Sequence, residues 1–269
     1  MDLQELLKDS VGNAEAIIGV LTENPELCAS LPHRELNLGY SALTVVPEAI
    51  GLLVLLRRLC LGHSRLTQLP DSLGCMSSLT TLDLSWCHSL KRLPDSLGQL
   101  AALMRLELGW CTGLSVLPDS LGCLTNLTLL GLRACVNLTQ VPESLGCLTN
   151  LTVLVLHACT HLTQLPESLG RLQALKELQI NCCLRLARLP VSFAFLPPGL
   201  SVHWADADSL VFPPMYVKRF SLTAVREFLL EHNEPLKMLL LILSARRRRV
   251  CHLPAELWVL MLDKFFIYY

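Results

Sequence analysis

Residues 117–140 read LPDSLGCLTNLTLLGLRACVNLTQ, and near-copies of that stretch flank it on both sides. Upstream lie LPDSLGCMSSLTTLDLSWCHSLKR (69–92) and LPDSLGQLAALMRLELGWCTGLSV (93–116). Downstream lie VPESLGCLTNLTVLVLHACTHLTQ (141–164) and LPESLGRLQALKELQINCCLRLAR (165–188). Five copies hold a 24-residue period without a slip. A 23-residue copy, VPEAIGLLVLLRRLCLGHSRLTQ (46–68), precedes them, and RELNLGYSALTV (34–45) keeps the later half of one more. The last copy, LPVSFAFLPPGLSVHW (189–204), is degraded, as terminal repeats usually are.

The pattern has a physical reading. In Leu79-Thr80-Thr81-Leu82-Asp83-Leu84, Leu82 and Leu84 stand two apart and share one face of a short strand, with Thr81, Asp83 and Ser85 on the other. One such strand cannot bury its leucines alone, whereas stacked strands build a continuous core. The return half opens at Pro70, Pro94, Pro118, Pro142 and Pro166, each followed by Asp or Glu. Proline suits a first helical position and an acidic residue suits a helix start, so a short helix or turn is expected there. Gly74, Gly98, Gly122, Gly146 and Gly170 recur where a left-handed residue could end it.

These stretches resemble the leucine-rich repeat family in the form LxxLxLxxCxxLxxLPxxLGxLxx, over residues 34 to about 204. Among its classes they look most like the plant-type repeats of disease-resistance receptors and of plant Ras-group-related intracellular proteins. The resemblance implies an α/β solenoid: a curved parallel sheet on the concave side, short helices or turns on the convex side. It also implies a protein partner on the concave face. The expected organisation is an N-terminal helical cap (1–33), a repeat array (34–210) and a C-terminal helical cap (211–269).

Composition limits the alternatives. The chain is 52% hydrophobic and 17% charged, too apolar to stay disordered. A net charge of −1 gives no basic excess for a nucleic-acid backbone. The apolar runs Ala49–Leu56 and Met238–Ala245 fall short of the ~18–20 residues that span a bilayer. The acidic, amphipathic start Met1–Glu5 does not read as a signal peptide. A reduced, cytoplasmic setting is expected, with the nucleus as the alternative because of Arg246–Arg249.

The twelve cysteines mostly follow the repeat. Cys87, Cys111, Cys135, Cys159 and Cys183 form one column, with Ser41 and Ser64 in the same place in the shorter copies; Cys75, Cys123 and Cys147 form another. A small side chain that bonds turn backbone fits the first column, and a buried, reduced ladder is expected. Rungs ~4.8 Å apart also leave cross-rung disulfides open on oxidation.

Chemistry-bearing motifs are missing. The chain has no phosphate-binding loop, Gly-x-Ser-x-Gly, His-Glu-x-x-His or Cys-x-x-Cys. His157-Ala-Cys159-Thr-His161 has metal-like spacing, but the repeat assigns Cys159 to the core and His157 to the concave face. The Cys-x-Asp of the bacterial ubiquitin-ligase effectors that carry such repeats does not occur. A non-catalytic protein without cofactor or metal is expected.

Columns the repeat does not need are the candidate binding residues. The position two after the second strand leucine runs Tyr40, His63, Trp86, Trp110, Ala134, Ala158, Cys182. Outward columns place Arg58, Asp83, Arg105 and Glu107 beside the tryptophans, with Arg133 and His157 further on and Leu129, Val153 and Val155 as an apolar strip. Trp, Tyr and Arg are the residues enriched in hot spots. The competing reading has the tryptophans tucked under the turn as packing.

The ends lack the repeat. Leu3, Leu6, Leu7, Ala14, Ile17, Ile18 and Leu21 recur at helical spacing. Ser221–Glu231 and Leu236–Ser244 read as helices, and Leu253–Leu262 resembles the opening of an F-box. That resemblance implies a Skp1-type partner and a role as a ubiquitin-ligase adaptor, against a plain C-terminal cap.

Overall fold

The computed structural model describes residues 14–23 and 34–203, apart from 188 and 198. All of these belong to one compact unit, Met1–Arg226. Eight three-residue strands form one open, curved parallel sheet in chain order. They are β1 (Glu35–Asn37), β2 (Arg58–Cys60), β3 (Thr81–Asp83), β4 (Arg105–Glu107), β5 (Leu129–Gly131), β6 (Val153–Val155), β7 (Glu177–Gln179) and β8 (Ser201–His203). The register aligns Leu36, Leu59, Leu82, Leu106, Leu130, Leu154, Leu178 and Val202 in one row. Its seven leucines are buried, as are Leu84, Leu108, Leu132 and Leu156 two residues on. The strand half is thus built as its leucine spacing predicts.

The return half is a five-residue 3-10 turn in each repeat, such as Asp71–Cys75 and Asp119–Cys123. The proline does not take the first helical position. Pro70 has φ −71° and ψ 149°, so it is the extended residue before the turn, and its carbonyl accepts the Leu73 N–H at 3.2 Å. Its ring fixes φ at that corner.

The glycine expectation is also corrected. No described glycine has positive φ. What these positions need is space. A Cβ on Gly122 would lie 2.6 Å from the Ser144 carbonyl oxygen, and one on Gly74 would lie 2.5 Å from that of Ser96. Each turn sits so tightly on the next that a methyl group has no room.

Polar side chains tie successive turns together. The Glu143 carboxylate accepts the backbone N–H groups of Glu167 and Ser168, both at 2.9 Å, and Glu48 accepts that of Ser72 at 3.0 Å. The recurring Asn-Leu-Thr stretches do related work. Asn126 and Asn150 Nδ2 donate to the Ala101 and Thr125 carbonyls at 2.9 Å. The hydroxyls of Thr128 and Thr152 donate one repeat back, to the Met104 and Thr128 carbonyls.

The first cysteine column is fully buried. The Sγ of Cys111 donates to the Leu84 carbonyl at 3.1 Å, and Cys135, Cys159 and Cys183 repeat that bond one rung on each. Ser64 bonds its own repeat instead, Oγ to the Leu61 carbonyl at 2.6 Å. The second column departs from the buried ladder: Cys75, Cys123 and Cys147 end their 3-10 turns and are exposed. All described cysteines are free.

Within the N-terminal segment, α1 (Ala14–Glu23) is helical, and its buried Ala14 and Ile17 lie in a segment packed against the first 3-10 turn, Glu48–Leu52. Leu3, Leu6 and Leu7 lie outside the described residues, as do the C-terminal helices and the F-box-like stretch. No helix among the described residues is long and apolar enough to cross a membrane.

Candidate protein-binding face

Each strand is followed by a tight turn, and that turn decides how the candidate residues are presented. In the third repeat the Cys87 N–H bonds the Leu84 carbonyl at 3.3 Å, closing a four-residue turn over Leu84–Cys87. Its third residue, Trp86, has φ +67°, while Ser85 before it stays negative. A positive φ at that position alone defines a type II turn, which ordinarily takes glycine there. Here the position holds Tyr40, His63, Trp86, Trp110, Ala134, Ala158 and Cys182, all at φ between 55° and 67°. Every member of the candidate column is therefore left-handed, at a cost of order 1 kcal/mol for a non-glycine residue.

The left-handed turn lays the rings on one another. Tyr40 stacks on His63 (centroids 4.2 Å apart, planes 11° apart), His63 on Trp86 (5.1 Å, 13°), and Trp86 on Trp110 (4.5 Å, 8°). His88 meets Trp86 edge-on at 5.8 Å and 89°, with its Nδ1 3.2 Å from the Thr112 hydroxyl. The tryptophans are not tucked under the turn, since Trp86 and Trp110 keep 36% and 37% exposure and Tyr40 70%. Their faces cover each other along the row, and each residue keeps exposed surface.

The charged candidates are largely paired. Arg105 Nε and Nη2 both donate to Glu107 Oε1, at 3.1 and 2.7 Å. The other Glu107 oxygen lies over Gly131, in the space a Cβ there would take, so a side chain at that position would push the carboxylate aside. Arg58 reaches Glu35 at 3.7 Å across the first two strands. Asp83 accepts the Ser85 N–H at 2.9 Å and shapes its own turn. Arg133 is exposed and has no such partner among the described residues. His157 is half-buried, with Nδ1 shielded and unbonded; Asn181 Oδ1, one repeat on, is in the same condition. Leu129, Val153 and Val155 are half-buried between these groups.

His157, Cys159 and His161 do not converge. Cys159 is buried with its thiol on the Leu132 carbonyl, and His161 Nδ1 lies 2.6 Å from the Val136 carbonyl. No group of three or more His, Cys, Asp or Glu among the described residues could hold a metal ion. Burial pushes the Cys111 and Cys183 thiols up to about 12, and those of Cys87, Cys135 and Cys159 upward as well. These are poor nucleophiles.

The model of the leucine-rich repeat region matches residues 36–228. The chain belongs to the leucine-rich repeat family. Among solved structures it is similar to a leucine-rich repeat protein of Leptospira interrogans, at 27% identity and a TM-score of 0.58. That match covers 69% of this chain and 49% of the other, so this chain spans about half the length of the Leptospira protein. It is also similar to the leucine-rich repeat domain of the type III effector XopL, at 25% identity and a TM-score of 0.53, over 72% of this chain and 82% of that domain. No curated protein matches the chain.

The leucine-rich repeat columns and their order follow from the sequence. The left-handed turn carries no such mark, because glycine, the residue a positive φ favours, stands one residue earlier, at Gly39, Gly62 and Gly109. The seat for Glu107 was legible as the single glycine of its column, Gly131, but only in hindsight of the register.

Proposed function

We propose that this protein is a non-catalytic, intracellular interaction scaffold of the plant-type leucine-rich repeat class. A protein partner docks on the outward, concave side of its sheet. The observation that carries this reading is the Tyr40–His63–Trp86–Trp110 stack, four exposed residues whose rings lie on one another along consecutive repeats. The left-handed backbone is shared by Ala134, Ala158 and Cys182 and belongs to the turn of the repeat; what fits recognition is the run of exposed aromatic side chains set on it. Arg58, Asp83, Arg105 and Glu107 supply the polar surround: Arg105 pairs with Glu107, Arg58 with Glu35, and Asp83 accepts the Ser85 N–H.

The test is affinity capture with mass spectrometry, comparing the full chain with Trp86→Ala/Trp110→Ala. Partners recovered with the first and lost with the second support this face. The same recovery from both removes the stack from the account. The competing adaptor role would rest on residues 253–262, outside the described ones. Recovery of a Skp1-type protein by the full chain, dependent on that stretch, would favour it.

A further inference from the structure

From the first 3-10 turn to the sixth, the last residue runs Leu52, Cys75, Gln99, Cys123, Cys147, Arg171. Cys123 and Cys147 are neighbours in that column, whereas Cys75 stands between Leu52 and Gln99. All three cysteines are exposed and free. In the buried column Cys111, Cys135, Cys159 and Cys183 donate their thiol hydrogens to main-chain carbonyls. No such bond among the described residues holds Cys123 or Cys147. Their turns, Asp119–Cys123 and Glu143–Cys147, touch. A Cβ on Gly122, the residue before Cys123, would lie 2.6 Å from the Ser144 carbonyl oxygen of the next turn. Equivalent residues of adjacent repeats are one rung apart, ~4.8 Å where the strands pair. A disulfide takes Cα separations of ~4.4–6.8 Å, which leaves about 2 Å for the wider, outer side of a curved array. Side chains of this column also reach the turn before them: Gln99 Oε1 lies 2.9 Å from where a Cβ on Gly74, beside Cys75, would stand.

We propose that Cys123 and Cys147 are an oxidation-sensitive thiol pair, closed to a cross-repeat disulfide by a low-molecular-weight disulfide such as that of glutathione. The thiolate of one cysteine attacks a sulfur of glutathione disulfide. That S–S bond breaks, and the departing glutathione takes up the proton the cysteine gave up. The second thiolate then attacks the protein-side sulfur of the mixed disulfide and releases the second glutathione, which takes the second proton. Two protein thiols are oxidised to one disulfide, and one glutathione disulfide is reduced to two thiols. Holding the second thiol beside the first gives it an effective concentration of the order of millimolar or more, so closure follows the first exchange. The bond links successive turns across a 24-residue offset, on the return half of the repeat and not on the sheet face that carries Trp86 and Trp110. Cys75 has the same exposure and place in its turn but no cysteine next to it, and so cannot close.

The experiment holds the full native chain in glutathione and glutathione disulfide at graded ratios, blocks the remaining thiols with N-ethylmaleimide, and maps unreduced peptides by mass spectrometry. Cys123 and Cys147 are expected as one internal disulfide, and Cys75 as free thiol or as the mixed disulfide with glutathione. Mixed disulfide at Cys123 should be at least about tenfold scarcer than at Cys75 at every ratio, because its neighbour resolves it. Cys147→Ser leaves Cys123 alone and raises its mixed disulfide to the level of Cys75. The column already takes Gln99 and Arg171 at exposed positions, so the variant keeps the fold. Equal mixed disulfide at Cys75, Cys123 and Cys147 in the parent chain overturns the proposal. So do Cys123 and Cys147 left as thiols at a ratio that modifies Cys75, disulfides that link two chains, or a Cys123 that Cys147→Ser leaves unaltered.

Discussion

The indole of Trp86 lies on the indole of Trp110 with planes 8° apart, and the two residues share a left-handed backbone at φ +67° and +63°. The second fact produces the first. A residue at positive φ after the strand turns its side chain along the row of turns, so equivalent residues of consecutive repeats meet face to face. Burial contributes less here than in the core, because more than a third of each ring stays exposed.

Replacing both tryptophans by alanine should therefore leave the fold intact. Alanine already occupies this turn at Ala134 and Ala158 with φ 56° and 60°. The expected loss is about 1–2 kcal/mol for each ring, below the ~3–5 kcal/mol of a fully buried aromatic. Urea denaturation of the double variant checks this. A collapse of cooperativity would make the stack part of the core and end its claim to be a binding surface.

The glycine columns make a sharper contrast. Gly122→Ala places a methyl group 2.6 Å from the Ser144 carbonyl oxygen, a rigid backbone atom of the next turn. Gly109→Ala finds its nearest neighbour, the Arg133 carbonyl oxygen, at 3.6 Å, an ordinary contact. The first is expected to cost about 2–3 kcal/mol and the second less than about 1 kcal/mol. Equal midpoints in denaturant would show that adjacent turns have slack.

How far the molecule could be read beforehand follows from the same columns. A leucine spacing of two, repeated every 23 or 24 residues, dictates strand, face and neighbour together, which is why the register from Leu36 to Val202 follows the written repeat. Turn conformation was not legible, because steric rules predict glycine where φ is positive and Trp86 and Trp110 break the rule. Nor was the role of Gly122, since close approach between turns is a property of two repeats and leaves no mark within one. Pairing was legible only in part: Arg105 and Glu107 alternate with Leu106 and visibly share a face, but nothing in the spacing says that Arg58 reaches back to Glu35 one strand away.

Glu143 accepts two backbone N–H groups of the following repeat, from Glu167 and Ser168. Glu143→Ala should cost about 1 kcal/mol, the usual loss when a capping side chain is removed. Glu143→Gln should recover part of it by keeping one acceptor oxygen. Thermal unfolding of the two variants separates a capping role from a general charge effect, because both remove the charge and only one removes the acceptor.

The two cysteine columns should behave as different chemicals. In the native protein, a brief pulse of iodoacetamide should alkylate Cys75, Cys123 and Cys147 and spare Cys87, Cys111, Cys135, Cys159 and Cys183 until the chain unfolds. Peptide mapping by mass spectrometry reads this directly. The buried column also sets an alkaline limit. The folded pKa of Cys111 and Cys183 is raised from 9.0 to about 12, so the native state holds its thiol protons where the unfolded chain has lost them. Stability is then fully present below pH 9, falls as the pH rises above it, and the contribution is gone once the pH passes about 12. Cys111→Ser and Cys183→Ser together should flatten that decline, because a hydroxyl does not ionise in this range. An unchanged pH profile in the double variant would assign the alkaline loss to other groups, and native alkylation of the buried column would show that the rungs open locally without global unfolding.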